Sequence, residues 1–473
     1  MFSRVGWGFI ARAWSCRRRL YGRIQPDSAI PRPRSRSKGL HVALACWAAF
    51  SCGSLLAGQY DYGGGYSLTY DSNITRTPDP RSEWTNALFL GVAYEEHTVD
   101  LNARFLGQAE YRNYLRNVYQ DDHSGYVNGA AIWTISPQLF SWTAEENFRQ
   151  VRVNLTQADV PTNRTEVSAF STGPDFTIRF DAVNAAEIGG RYDRFDIRGP
   201  GDNQRYSGYA RLIHRVSPYT TLSGNFEAAR IDFEDSVTFP QVFRMDGFVR
   251  FDMRQLPHVL TLDIGTSRVT RQGAPELDGR LGRFVFSRQL TSESTLEVSY
   301  LSQYSDTFTD SLRAIAGPMF PADSAIVPGA DVVTGDPYYL QRGEIDFSSG
   351  APGARFGYSL RGYARKVDYL TENLDFNDWG TWLDLSWRPA FPTRVYLVGR
   401  YSRRTFLDFD ETDVDSTRTA GVTYALNRNM SLTFEASQTV HSSTIPSSGY
   451  VDWRGVLLLG YSTGPVYSAQ SRR

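Results

Sequence analysis

Lysine is almost missing from this sequence, and cysteine is confined to one end. Among 473 residues only Lys38 and Lys366 are lysine, and the three cysteines, Cys16, Cys46 and Cys52, all precede residue 58. The chain beyond that point can form no disulfide framework, and its positive charge is almost wholly arginine. Long apolar runs are also missing there. Hydrophobic residues make up 41% and the mean hydropathy is −0.39, so no segment after residue 57 offers the roughly 18 apolar residues of a membrane-spanning helix. No window there shows a convincing helical period. No tandem motif of solenoid or propeller length recurs either.

The first 57 residues read as an address. "RPRSRSK" (Arg32–Lys38) is a basic region and "GLHVALACWAAFSCGSLLA" (Gly39–Ala57) an apolar run ending in small residues, the pattern of a secretory signal with cleavage near Ala57. A membrane anchor is the alternative, since the run reaches the spanning threshold. Lipidation at Cys46 or Cys52 is a third, although "ALAC" and "AFSC" lack the leucine usual three residues before such a cysteine. The arginine-bearing stretch before Arg32 is longer than a signal needs and is set aside from fold reasoning. Residues 1–57 hold ten of the 50 basic residues and one of the 51 acidic ones. That leaves 40 and 50, a net charge near −10 that argues against nucleic acid as a partner.

From Gln59 onward the dominant signal is period two. In "VDLNARFLGQAEYR" (Val99–Arg112), Val99, Leu101, Ala103, Phe105, Gly107, Ala109 and Tyr111 take one parity and, except for Leu106, polar residues the other. The same alternation recurs at Phe243–Asp252, Leu260–Gly265, Trp379–Arg388 and Ser431–Ser437, which is a strand signal. Short turns such as "SPQ" (136–138) and "QLPH" (255–258) alternate with longer connections such as "ITRTPDPRS" (74–82) and "LTQADVPTNR" (155–164). That rhythm fits a meander with tight periplasmic turns and longer outer loops. Aromatic residues reach 14%, with 27 Tyr and 28 Phe, enough to furnish a girdle at each membrane interface.

These patterns predict an all-β fold: residues 58–473 form a single antiparallel up-and-down transmembrane β-barrel of about 18 to 20 strands. Leu277–Phe286 and Tyr338–Phe347 alternate poorly, which is what leaves the count open. Phe308–Asp336 carries no clear strand and includes Ile315, Met319, Phe320, Ile326 and Val332. A connection of that length is usually functional or disordered. It is expected to fold into the lumen as a constriction or to cap the outer mouth, with a mobile surface loop as the alternative.

If the apolar parity meets lipid, the polar parity lines the lumen. The pore-lining candidates are Arg104, Glu110, Arg112, Arg211, Glu227, Arg244, Asp246, Arg250, Asp252, Asp263, Arg361, Arg365, Asp384, Arg394, Arg400, Arg404 and Glu435. Arginine suits such a wall because its planar fork holds carboxylates in bidentate pairs and can bond sugar hydroxyls. Mutual ion pairs that merely brace the wall are the plainer reading, and the two can coexist. Enzymatic readings fare poorly. His97, His123, His214, His258 and His441 are isolated in sequence, and no spacing of metal-site kind occurs. His214 with Ser217 and His441 with Ser443 are weak hydrolase candidates. No catalytic residue, metal or cofactor is expected.

The stretch Glu110–Gln150, "EYRNYLRNVYQDDHSGYVNGAAIWTISPQLFSWTAEENFRQ", resembles a family of outer-membrane β-barrel proteins found with bacterial exopolysaccharide and exosortase (PEP-CTERM) loci. "YDSNITRT" (Tyr70–Thr77) is similar to that family's region after the first strand. The resemblance implies a bacterial outer-membrane location and association with polysaccharide export or surface assembly, with outer-membrane lipid, polysaccharide and its export machinery as partners. It supplies no catalytic residues. One departure is the final strand, "GVLLLGYSTG" (Gly455–Gly464), which is followed by "PVYSAQSRR" rather than ending in a terminal aromatic. The expected function is a porin-like channel for exopolysaccharide or another hydrophilic solute. The alternative is a structural barrel that anchors or sheathes a partner.

Overall fold

The computed structural model describes residues 58–197, 201–237, 239–313, 336–350, 354–445 and 447–464. The expected signal, the tail after Gly464 and residues 314–335 of the long connection lie outside the described residues. Twenty strands follow in order: β1 (Gln59–Asp71), β2 (Glu83–His97), β3 (Leu101–Tyr114), β4 (Asp122–Ser136), β5 (Phe140–Arg152), β6 (Arg164–Arg179), β7 (Asn184–Ile197), β8 (Asn203–Ser217), β9 (Thr220–Phe233) and β10 (Val242–Gln255). The second half comprises β11 (His258–Arg271), β12 (Leu277–Gln289), β13 (Ser294–Ser305), β14 (Tyr338–Ser349), β15 (Phe356–Tyr369), β16 (Phe376–Trp387), β17 (Thr393–Phe406), β18 (Thr412–Ala425), β19 (Met430–Ser443) and β20 (Tyr450–Ser462). Each pairs antiparallel with its neighbours in sequence. β1 also pairs with β20, from Gly63↔Ser462 to Asp71↔Arg454, which closes the sheet. Closure removes every free edge, the condition for spanning a membrane with strands.

The two faces differ as the alternation requires. Ile188, Leu212, Phe226, Val249, Ile264, Leu383, Leu397, Phe434 and Leu457 are exposed on the outside, where only lipid can cover so continuous an apolar surface. Aromatic pairs bound this band at two heights. Near the short turns Tyr60 meets Tyr94 at 4.5 Å, Phe140 meets Phe176 at 4.7 Å and Phe356 meets Trp387 at 6.3 Å. Toward the long loops Tyr70 meets Trp84 at 5.0 Å, Tyr192 meets Tyr206 at 5.5 Å and Trp379 meets Tyr401 at 5.2 Å. Trp379 and Trp387 are eight residues apart on β16, about 27 Å along a strand. Strand tilt brings that span near the ~25 Å apolar band of an outer-membrane barrel. The protein is therefore a barrel of the bacterial outer membrane.

Strands of 12 to 16 residues exceed the ~9–11 that crossing requires. The surplus rises above the upper girdle, where the outward parity turns charged. Past Tyr192 on β7 come Arg194 and Asp196, paired at 2.9 Å, and on β9 come Arg230 and Asp232, paired at 3.1 Å.

Several local expectations need correcting. A helix exists after all: α1 (Thr307–Arg313) follows β13 directly. Seven residues are too few to show a period, and its start is fixed by Asp306, which accepts the Thr309 N–H at 2.8 Å as a capping side chain does. The final strand begins at Tyr450 rather than Gly455. The two segments that alternate poorly are both strands, and the count is twenty. They hide their period because their inner faces are apolar too: Leu281 on β12 and Tyr338 and Leu340 on β14 are each 2% exposed or less.

Candidate functional site

All the arginine and carboxylate candidates fall on one parity of their strands, and register places them on the inner face. The pairings Arg104↔Glu95, Arg211↔Asn225, Arg250↔Asp263, Arg361↔Asp346, Arg365↔Asp378 and Arg404↔Asp378 each set one inward side chain beside another. The stretch Val99–Arg112 behaves the same way. Phe105 faces outward, its ring against the open flanks of Gly107 and Gly129. Tyr111 is exposed near the upper interface and donates to Asp121 at 2.9 Å. Asp100 sits in the turn before β3 and lines nothing. Leu106, the one apolar residue on the polar parity, is buried inside beside Ala93 and Tyr126.

Height divides the wall into two regimes. At the long-loop end the inner wall carries packed apolar side chains. α1 turns inward from β13 and packs against the inner faces of β5, β6 and β7, with Phe308 among Val151, Val167, Ala169, Phe195 and Ile197. Burying a phenylalanine so fully contributes roughly 1.5–3 kcal/mol. Asp306, at the head of α1, meets Arg205 of β8 at 2.8 Å and Arg244 of β10 at 3.8 Å, and Arg244 also meets Asp246 at 3.3 Å. Arg205 lies over the Phe308 ring at 4.2 Å. Asp310 accepts hydrogen bonds from Ser305 and Tyr338, both at 2.6 Å. Burial alone would push the Asp306 carboxyl up, but the guanidiniums of Arg205 and Arg244 and the bonds from Thr309 hold it below the usual carboxylate range.

The β5–β6 connection adds a second inward piece. Leu155 packs in one cluster with Tyr338, Leu340, Val367, Phe376 and Phe406 of β14 to β17, so this loop reaches across the lumen. Asn163 shapes it: its amide donates to the carbonyls of Asn154 and Ala158 at 2.8 and 3.1 Å. Asp159 takes a two-pronged bond from Arg164 at 2.7 and 3.0 Å, and its carbonyl accepts from Arg76 of the first outer loop at 2.6 Å. Burial opposes the Asp159 charge, yet the Arg164 fork wins and lowers its pKa.

Most candidates are spoken for, including Arg361 and Asp346, which lie toward the short turns. Glu110 and Arg112 pair at 2.6 Å, Arg250 and Asp263 at 2.7 Å, Arg361 and Asp346 at 2.7 Å, and Arg365 and Asp378 at 2.6 Å, with Arg404 joining Asp378 at 3.5 Å. Asp246 accepts from Ser267. Sequence reasoning missed Arg205, Asp306, Asp310, Arg283 and Asp378. Of these, Asp310 belongs to the Phe308–Asp336 connection, marked in the sequence by its length and its apolar residues, and Asp306 lies just before it.

Toward the short turns the wall opens. Arg211 meets Glu187 at 3.0 Å and Glu435 accepts from Tyr396 at 2.8 Å. Asp252 accepts from Thr261 at 2.7 Å, Arg394 lies over the Tyr396 ring at 5.7 Å, and Arg104 is half-buried. Glu227 has no hydrogen bond or ion pair among the described residues. Asp384 and Arg400 are exposed and likewise unpaired. The histidines do not assemble a hydrolase pair. His214 bonds Asn184 at 2.8 Å, His441 bonds Asp415 at 2.8 Å, and the Ser443 hydroxyl accepts from Ile445 instead.

No protein-family model and no curated protein matches the chain. Among solved structures it is similar to the FrpB iron transporter of Neisseria meningitidis (F5-1 variant), at 9% identity over 85% of this chain and 82% of that one, with a TM-score of 0.45. It is similar also to a mutant of the ferric enterobactin receptor PfeA of Pseudomonas aeruginosa (9% identity, 85% and 80% covered, TM-score 0.44). The copper transporter OprC is a third (11% identity, 86% and 81% covered, TM-score 0.44). These neighbours are transporters and receptors rather than enzymes. At such identities and scores the likeness carries no argument about what this barrel binds.

Proposed function

We propose that the protein is an outer-membrane channel for a hydrophilic solute, closed at its outer mouth by α1 and the β5–β6 loop. The observation that carries this reading is the contrast along the inner wall. Arginine, carboxylate and hydroxyl side chains dominate it from the periplasmic rim upward, and the larger apolar clusters lie at the long-loop end, with a small patch of Ala93, Leu106 and Tyr126 lower down. Barrels of about this size enclose a water-wide lumen unless plugged. A wall of fixed opposite charges is suited to a hydrated polymer, which needs hydrogen-bond partners and no single strong site. The resemblance of Tyr70–Gln150 to barrels of exopolysaccharide loci supports polysaccharide as the cargo and export as the direction.

Conductance in planar bilayers tests the reading. The intact chain is expected to conduct weakly and a variant lacking residues 312–332 strongly; silence from both overturns it. A second reading, a closed barrel that anchors a surface or periplasmic partner, draws support from the buried Arg205–Asp306 pair, which spends a charge pair on keeping the mouth shut. A partner captured by the intact barrel, together with no conductance in the deletion variant, would favour it.

A further inference from the structure

Asp384 and Arg400 stand out because their surroundings do not. In a wall where arginines are held by carboxylates, these two are exposed to the lumen and make no hydrogen bond or ion pair among the described residues. Between them lies an aromatic surface. Trp382 is Asp384's inward neighbour on β16 and is paired in register with Arg400 of β17 on one side and with Arg361 of β15 on the other. Tyr363 stacks on the Trp382 ring at 5.3 Å and 28°. Arg361 sits over the same ring at 5.4 Å while bonded to Asp346 at 2.7 Å and Glu344 at 3.3 Å. Gly380 makes the stack feasible, since a Cβ there would come within 2.6 Å of the Tyr363 ring. The platform is thus braced from β15 and leaves Trp382 half-buried, with Arg400 and Asp384 beside it, neither in a hydrogen bond or ion pair among the described residues.

We propose that Trp382, Asp384 and Arg400 form a subsite for a neutral saccharide on the periplasmic side of the closure. This rests on the channel reading and names its cargo class. An aromatic face is negative at its centre and attracts the weakly positive C–H face of a pyranose ring. The hydroxyls around that ring need both a donor and an acceptor, which Arg400 and Asp384 supply as charge-assisted partners. A simple ion or a small zwitterion would have no use for the ring. Arg400 and Asp384 also lie in each other's field, and this adjacent cation and anion together suit a neutral sugar better than a uronic acid. The platform lies two inward positions below Asp378, which is locked between Arg365 and Arg404, so a chain entering from the periplasm meets it before the closed mouth.

The test uses the purified full-length barrel in detergent, with maltohexaose, cellohexaose and hexagalacturonate as probes, and binding read by calorimetry and saturation-transfer NMR. At least one neutral hexasaccharide is expected to bind. Trp382→Ala should weaken it about tenfold, the upper end of an aromatic contact, and Trp382→Phe should recover most of that loss. Asp384→Asn and Arg400→Gln should each weaken binding several-fold. Trp379→Ala, on the lipid side of the same strand, should leave it unchanged. Binding by neither neutral probe, binding of hexagalacturonate alone, or a Trp382→Ala barrel that folds and binds as the wild type does would each overturn the proposal. Conductance without saccharide binding would sink the subsite and spare the channel. Binding without conductance would do the reverse.

Discussion

Two levels of one lumen are built from the same residue types and behave oppositely. At the outer end arginine and aspartate are buried against phenylalanine, tyrosine and leucine, and Arg205 and Asp306 are 5% and 4% exposed. Lower in the lumen, at mid-strand, Arg400 and Asp384 are exposed beside the Trp382–Tyr363 stack. The difference is not composition. Among the described residues, backbone that folds inward at the outer end removes water there and buries the charges as obligatory partners, whereas pairs lower down, such as Arg361–Asp346, stay partly exposed. A buried pair fixes a conformation, whereas an exposed pair remains available to a solute.

The largest effect should come from breaking the buried pair. Asp306→Ala removes the ion-pair partner of the buried Arg205, which keeps only its bond to Asn203 and the field of Asp193, a loss of up to about 3–5 kcal/mol for such pairs. Because α1 is held at few points, the loss should appear as a released segment, with conductance rising and protease cutting between β13 and β14. Asp384→Ala should do neither. Equal conductance from the two variants would break the contrast between the two levels.

A charge at Phe105 should follow in size. Arginine on the lipid face costs about 2–4 kcal/mol at mid-bilayer and about 0–1 near the interfaces, where Phe105 sits level with Tyr94 of the lower girdle, whereas lumen positions tolerate polarity. Phe105→Arg should therefore impair insertion, read by the heat-modifiable gel shift, modestly but measurably more than Gln108→Arg. Equal impairment would mean that inside and outside are misassigned.

A pH titration sharpens the comparison further. The Asp306 carboxyl is held below its ordinary value, so its contribution is complete above the unfolded carboxylate pKa and is lost only as pH falls through the depressed folded value. The mouth should stay closed through the ordinary carboxylate range and open only in stronger acid. Opening at mildly acidic pH would point to another group. The smallest effect belongs to the rim: Arg230→Ala, which removes an exposed pair with Asp232, should leave the unfolding midpoint unchanged.

Much of this molecule is legible in its alternation alone. The parity of Val99–Arg112 assigns Phe105 and Arg104 to opposite faces, because a strand has only two. The same rule puts the seventeen wall candidates on one side without reference to any partner. The places where it fails share a cause. β12 and β14 lose their alternation because Leu281, Tyr338 and Leu340 face a packed interior where an open lumen would demand polar groups. α1 leaves no periodic trace because tertiary partners, not propensity, hold so short a helix.

The sequence by itself determined the period-two alternation, the rhythm of short and long turns and the arginine-for-lysine charge, since each is a local consequence of strand geometry and side-chain chemistry. Only the tertiary structure decided which charges are locked and which are free. That depends on where a connection between β13 and β14 comes to rest against β5, β6 and β7. Contacts between segments so far apart in the chain are set by closure of the whole sheet, which no local pattern encodes.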